Sequence, residues 1–313
     1  MNATLAFIIP SVFLFAYLLL SSIEFGAPIF LVWPKLLNNK SIIRGYINPV
    51  WETTNVFLVY FTESLFAFFP QSSFYLGVNL LSVLNTTLAI FGIRIVCMLL
   101  IFYANLENKL INFLILASNF TGPVIFSLVY IFALTGTWKD YFPSWTYLTL
   151  ALLVTSTIIM VSSNFFSYRL QKSQSKSLRN LTNISVALFI ISFLAFFWTI
   201  TNRLPYLISN RFLTLGIFLT LFLAVVFYFW ASARQKLFWK FFTACLSLAT
   251  VFFGLIAAHM PYIIYPVLTV NNSLTNPAAY RLLMISMIGG FTIILPSLFL
   301  MYYLFAKAGK SKY

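Results

Sequence analysis

Apolar residues fill this chain in long unbroken runs, each separated from the next by a short polar break. A helix needs about 20 apolar residues, at about 1.5 Å rise each, to cross about 30 Å of hydrocarbon. The pattern predicts nine such spans, over residues 5–33, 52–69, 74–104, 111–136, 144–168, 182–202, 212–232, 237–258 and 281–306. Strict alternation of polar and apolar positions, the mark of a membrane barrel, is absent, so the backbone groups must be satisfied within helices. The expected fold class is an all-α polytopic membrane protein. The loop pattern is consistent with two groups of four spans plus one additional helix. We read residues 1–313 as a single integral membrane domain whose approximate halves, 1–168 and 182–313, are joined by a basic loop.

Composition sharpens this reading. Hydrophobic residues make up 61% of the chain and charged residues 8%, which leaves no room for an aqueous domain. The net charge of +14 would suit a nucleic-acid binder, but its distribution marks topology instead. When loops are assigned alternately to two sides, fourteen lysines and arginines gather on one side, and four (Lys139, Arg203, Arg211 and Arg281) on the other. By the positive-inside rule the N-terminus lies outside and the C-terminus in the cytoplasm, in the plasma membrane of a prokaryote. The first apolar stretch lacks a basic leader and is too long for a signal-peptide core, so it reads as a retained span. Cys97 and Cys245 sit inside apolar runs without metal-ligand spacing and read as packing residues. The outer connection at 259–281, rich in Pro, Asn and Tyr, is expected to form a partly ordered lid or contact surface.

A charge in the bilayer costs on the order of 2.5–3.5 kcal/mol even on the lenient insertion scale, so each one calls for a reason. Four stand out: Glu24, Glu52, Glu63 and Arg94. Glu24 lies roughly 28 Å down a first span that starts outside, and Arg94 roughly 30 Å down the third. Glu52 opens the second span from the inside, so these three reach the inner leaflet at similar depth. They can form a buried polar cluster in which Arg94 holds one carboxylate as an ion pair while the other takes up and releases protons. They can equally be interfacial anchors whose charges reach cytoplasmic water. Glu63 shares a helix face with Glu52 but sits roughly 16 Å deeper. It is either a protonated group paired with a partner or a second station on a proton path starting at Glu52.

The sole histidine, His259, stands beside Met260 at the outer end of a span, too few ligands for several haems or a copper site. The sequence has no phosphate-binding loop or nucleotide motif, and its single histidine serves no Ser-His-Asp arrangement.

Three stretches resemble subunit II of the cytochrome bd-type quinol oxidases. "IEFGAPIF" (23–30) is similar to the family's acidic-Phe-Gly element, with Glu24 where Asp is usual. "NPVWETTNVFLVYFTESLFAFFP" (48–70) resembles its Gly-Pro-x-Trp-Asp pattern, with Trp51 and Glu52 in place of the Trp-Asp pair. Arg94 resembles the arginine of the third span, and residues 260–285 resemble the last outer loop and final helix. The chain departs from the pattern at Asn55 and Leu99, where acidic residues are usual, and at Glu63, where a small residue is usual.

The resemblance implies two four-helix bundles plus one helix in a heterodimer with subunit I, which carries haems b and d and the quinol site. It implies a haem-free accessory role in an oxygen-reducing, electrogenic oxidase of the respiratory chain, with protons conducted from the cytoplasm. Some members also hold a quinone structurally. Glu52 would then be the cytoplasmic entrance, Trp51 would fix the start of its helix, and Glu24 and Arg94 would tune its proton affinity. A proton-coupled secondary transporter is the alternative, since an intramembrane carboxylate and arginine suit it too. A structural scaffold is a third reading, to which the aligned charges add only cost. Lipid surrounds the chain in every case, and nucleic acid is no partner.

Overall fold

The computed structural model describes residues 2–32, 40–102, 104, 106, 108–137, 142–170 and 176–310, with residues 31, 40–53, 102, 170 and 298–310 described by backbone alone. Among the described residues there are nine α-helices: α1 (Ala3–Val32), α2 (Lys40–Phe68), α3 (Pro70–Phe102), α4 (Lys109–Thr135), α5 (Ser144–Leu170), α6 (Lys176–Thr201), α7 (Arg211–Ala233), α8 (Leu237–His259) and α9 (Pro277–Lys310). Eight are long and apolar enough to cross a membrane, and α2 adds a shorter apolar stretch, Thr54–Phe68.

Two boundaries differ from those expected. Helix α2 begins at Lys40 rather than near 52, and α6 begins at Lys176 rather than near 182. Hydropathy locates the hydrocarbon, whereas a helix continues into the headgroup region for as long as its backbone finds no better partner than itself. The second difference matters, because it moves Thr182 and Asn183 from the mouth of the expected span to the second turn of the helix, where Thr182 is buried. Of the basic residues that set the orientation, Lys35, Lys139, Lys172 and Lys312 lie outside the described residues.

Asparagines open four helices by accepting from a first-turn N–H: Asn2 from Leu5 at 3.1 Å, Asn108 from Ile111 at 2.8 Å, Asn210 from Leu213 at 3.1 Å and Asn276 from Ala279 at 2.9 Å. Helix α4 closes on Gly136, whose φ of 66° suits a residue without Cβ. A Cβ there would also lie 2.7 Å from the Tyr265 carbonyl oxygen, so the glycine serves both the turn and the close approach.

Helices α1–α4 form one bundle and α5–α8 a second, with α1 packed along α5 between them. At their closest the backbones leave no room for a side chain: a Cβ on Gly26 would fall 2.1 Å from Ser162 Oγ. The interior of the second bundle is aromatic, with Phe166, Phe189, Phe193 and Phe196 fully buried. Helix α9 stands apart, resting on α1 and α2 through Phe13–Phe291 (5.3 Å between centroids) and Tyr60 beside Gly290. Its other side is open, as at Ile285, 70% exposed.

Buried Ser and Thr side chains mostly bond back to a carbonyl one turn earlier, as Ser22 does to Leu18 and Thr135 to Ile131. This satisfies the hydroxyl inside its own helix and makes its burial cheap. The connection between α8 and α9 folds into a short antiparallel pair, β1 (Tyr262–Ile264) and β2 (Leu268–Thr269), with a cis peptide at Met260–Pro261 before it and another at Tyr265–Pro266 in its turn. Tyr265 N–H donates to Ala133 O (2.9 Å) and Thr275 N–H to Phe68 O (2.8 Å), tying this cap to the C-terminal ends of α4 and α2.

Candidate functional site: a buried charge cluster

Glu24 on α1 and Arg94 on α3 each lie eight residues before the end of their helix, at Val32 and Phe102. That places both about 12 Å from the same end of the first bundle. They meet there: Arg94 Nη2 donates to Glu24 Oε1, with side chains 5% and 2% exposed. Arg94 Nε donates to Asn119 Oδ1 on α4 at 2.9 Å, and its guanidinium lies 4.7 Å from the Phe25 ring centroid, which itself stacks on Phe91. Asn119 is fixed in turn by its own amide, which donates to Ile115 O at 2.6 Å.

Each contact has a physical reason. A carboxylate and a guanidinium removed from water are tolerable together and costly apart. The guanidinium presents a planar fork of donors, and one edge is occupied by an anion and a neutral amide at once. Three helices are thereby held in one register.

The other expected members fare differently. Trp51 and Glu52 belong to α2 by backbone, but their side chains lie outside the described residues. Glu63 is not brought to the pair; it is exposed on α2. Asn119 carries a contact that the charge pattern alone gave no reason to place beside Arg94.

A second polar knot sits in the other bundle, little foreshadowed by the residue pattern. Lys240 on α8, which reads as one of the inner-face cations, is buried at 2% exposure. Its Nζ donates to Thr182 Oγ1 (3.0 Å) and Asn183 Oδ1 (3.3 Å) on α6 and lies 5.2 Å from the Tyr228 ring centroid on α7. The Tyr228 hydroxyl lies 3.0 Å from both Asn164 Oδ1 on α5 and the Thr182 carbonyl oxygen. Four helices converge on one ammonium through neutral acceptors. No Asp or Glu occurs between residues 141 and 313 to balance it.

His259 is engaged at both ring nitrogens. Nδ1 lies 2.8 Å from the Tyr206 hydroxyl and Nε2 lies 3.4 Å from Ile263 O, with Tyr206 stacked on Tyr265. With both nitrogens facing the chain's own groups and the ring buried, this histidine does not fit an axial haem ligand. Among the described residues no three His, Cys, Asp or Glu side chains converge on a metal-sized site. Both cysteines are free.

Two bundles and a ninth helix, with a charge pair sealed inside one bundle, define a multi-pass membrane protein organised around buried polar contacts. The chain belongs to the cytochrome bd terminal oxidase subunit II family, whose model matches residues 2–305. It is 26% identical to a cytochrome bd menaquinol oxidase subunit II of Bacillus subtilis (strain 168), over 94% of this chain and 93% of that protein. The structure of bd oxidase from Geobacillus thermodenitrificans contains a chain that superposes with a TM-score of 0.85 at 26% identity, covering 97% of this chain and 98% of that one. This chain is therefore a subunit of an oxidoreductase complex, and the membership decides between the oxidase-subunit and carrier readings in favour of the first.

Proposed function

We propose that this chain is the haem-free subunit of a two-subunit quinol:oxygen oxidoreductase. It supports a subunit I that carries haems b and d and the quinol site, and it conducts protons from the cytoplasm. The observation that carries the proposal is the sealed Glu24–Arg94–Asn119 cluster about 12 Å from the inner end of the first bundle, on helices of which α1 packs along α2, the helix that bears Glu52. A haem-free role agrees with His259 being engaged by Tyr206 and Ile263. The Bacillus subtilis relative is named as a menaquinol oxidase subunit, which makes a menaquinol the first substrate to test, together with a structurally held quinone.

In this reading Arg94 and Glu24 neutralise each other and fix the local field, leaving Glu52 as the carboxylate that exchanges a proton with cytoplasmic water. Trp51 anchors that turn of α2 at the interface, with the N-terminus outside and the C-terminus inside. Capture of the chain from native membranes in mild detergent should bring down a larger subunit and a reduced-minus-oxidised haem d band. In that preparation, reconstituted into vesicles, Glu52→Gln should slow oxygen consumption and inward proton uptake together. Unchanged turnover and charge translocation would remove Glu52 from the path.

A further inference from the structure

One face of α2 packs against nothing else among the described residues. Asn55, Val59, Glu63 and Phe66 recur at helical spacing and are all exposed, while Ser64, Leu65 and Phe68 turn inward. Glu63 forms no hydrogen bond or ion pair with any described residue. It lies five residues before Phe68, about 8 Å inside the outer end of the helix. A carboxylate facing hydrocarbon at that depth is costly, and its short side chain lacks the reach by which Lys or Arg escapes to the interface.

Among the described residues the cations buried within the bundles are taken: Arg94 by Glu24 and Asn119, Lys240 by Thr182 and Asn183. A second copy is a poor occupant, because a two-fold contact through this face would set Glu63 close to its own copy. What fits is an apolar helix of another protein carrying a positive charge. We propose that the Asn55–Val59–Glu63–Phe66 face docks on the companion subunit, and that Glu63 there forms an intramembrane ion pair with an Arg or Lys of that subunit. The inference rests on the reading of this chain as one subunit of an oxidase.

The test uses the intact complex in native membranes. A photo-reactive amino acid at position 63 should cross-link to the companion subunit, and Glu63→Lys should lower the amount of companion recovered by about tenfold, with Glu63→Gln in between. Replacing the cross-linked basic residue of the companion by Glu should restore recovery of the Glu63→Lys chain. Cross-links confined to lipid or to a second copy, or full recovery of the companion with Glu63→Lys, would overturn the pairing. A wild-type chain that brings down no companion would instead overturn the subunit reading, and the pairing with it.

Discussion

Arg94 bonds to Glu24 and Asn119 simultaneously, and so couples α1, α3 and α4 at a single buried point. The value of this contact lies less in the energy of the pair than in the cost of breaking it, because either charge left alone stays in the low-dielectric interior.

Arg94→Leu should therefore destabilise the subunit by about 3–5 kcal/mol, and Glu24→Gln by less, since the amide still accepts from Arg94. The double variant Glu24→Gln, Arg94→Leu should cost clearly less than the two single losses combined. Thermal unfolding of the purified complex, followed by fluorescence-detected size exclusion, measures all three. Additive losses would mean that the two side chains do not act as a pair.

Gly26 is set by distance. A methyl group there meets Ser162 Oγ at 2.1 Å and Ser162 Cβ at 2.4 Å, too close for any rotamer change to relieve fully. Gly26→Ala should cost about 1–3 kcal/mol by overpacking, and Ser162→Gly in the same chain should recover most of that loss. The same unfolding assay reads the rescue. If Ser162→Gly fails to help, α1 and α5 are not in contact at this point.

Lys240 leads to the opposite expectation from Arg94. It has no anion to abandon, and Met matches its length and apolar stem. Lys240→Met should leave stability within about 1 kcal/mol of the parent, because the ammonium's desolvation cost disappears with its hydrogen bonds. Lys240→Glu should be severely destabilising, since Thr182 Oγ1, Asn183 Oδ1 and the Tyr228 ring all present electron-rich groups to that point. Comparable losses for both variants would refute this account of the knot.

The cap between α8 and α9 offers a milder test. Tyr206→Phe removes the hydroxyl 2.8 Å from His259 Nδ1 and should cost about 1–2 kcal/mol. The loss should appear as faster hydrogen exchange across residues 259–276, with exchange in the cores of α5 and α6 unchanged. Uniform acceleration along the chain would show that the cap does not open locally.

Much of the fold was legible because membrane crossing is written in hydropathy, and the matching depths of Glu24 and Arg94 followed from helical rise alone. The second knot was not legible, for identifiable reasons. Thr182 and Asn183 open the expected span 182–202, where polar residues read as facing the headgroups, and a lysine near a span end looks like an interfacial anchor. Serine and threonine give no burial signal, because their hydroxyls bond to their own helix. Nor could the sequence tell Phe193, fully buried, from Phe212, 88% exposed, since lipid and protein interior reward the same side chain. The exposure of Glu63 lay beyond reach for the same reason: helical spacing placed it on a face but did not say what that face meets.

The contact between Gly26 and Ser162 also has a mechanical consequence. It is a point where the backbone of one bundle meets a side chain of the other, and Glu24 is two residues from it on the same helix. With no space left between them at this point, α1 cannot slide along α5 without displacing Ser162. A shift of α1 there would also carry Glu24 away from Arg94, so the packing of the two bundles and the geometry of the charge pair are set together.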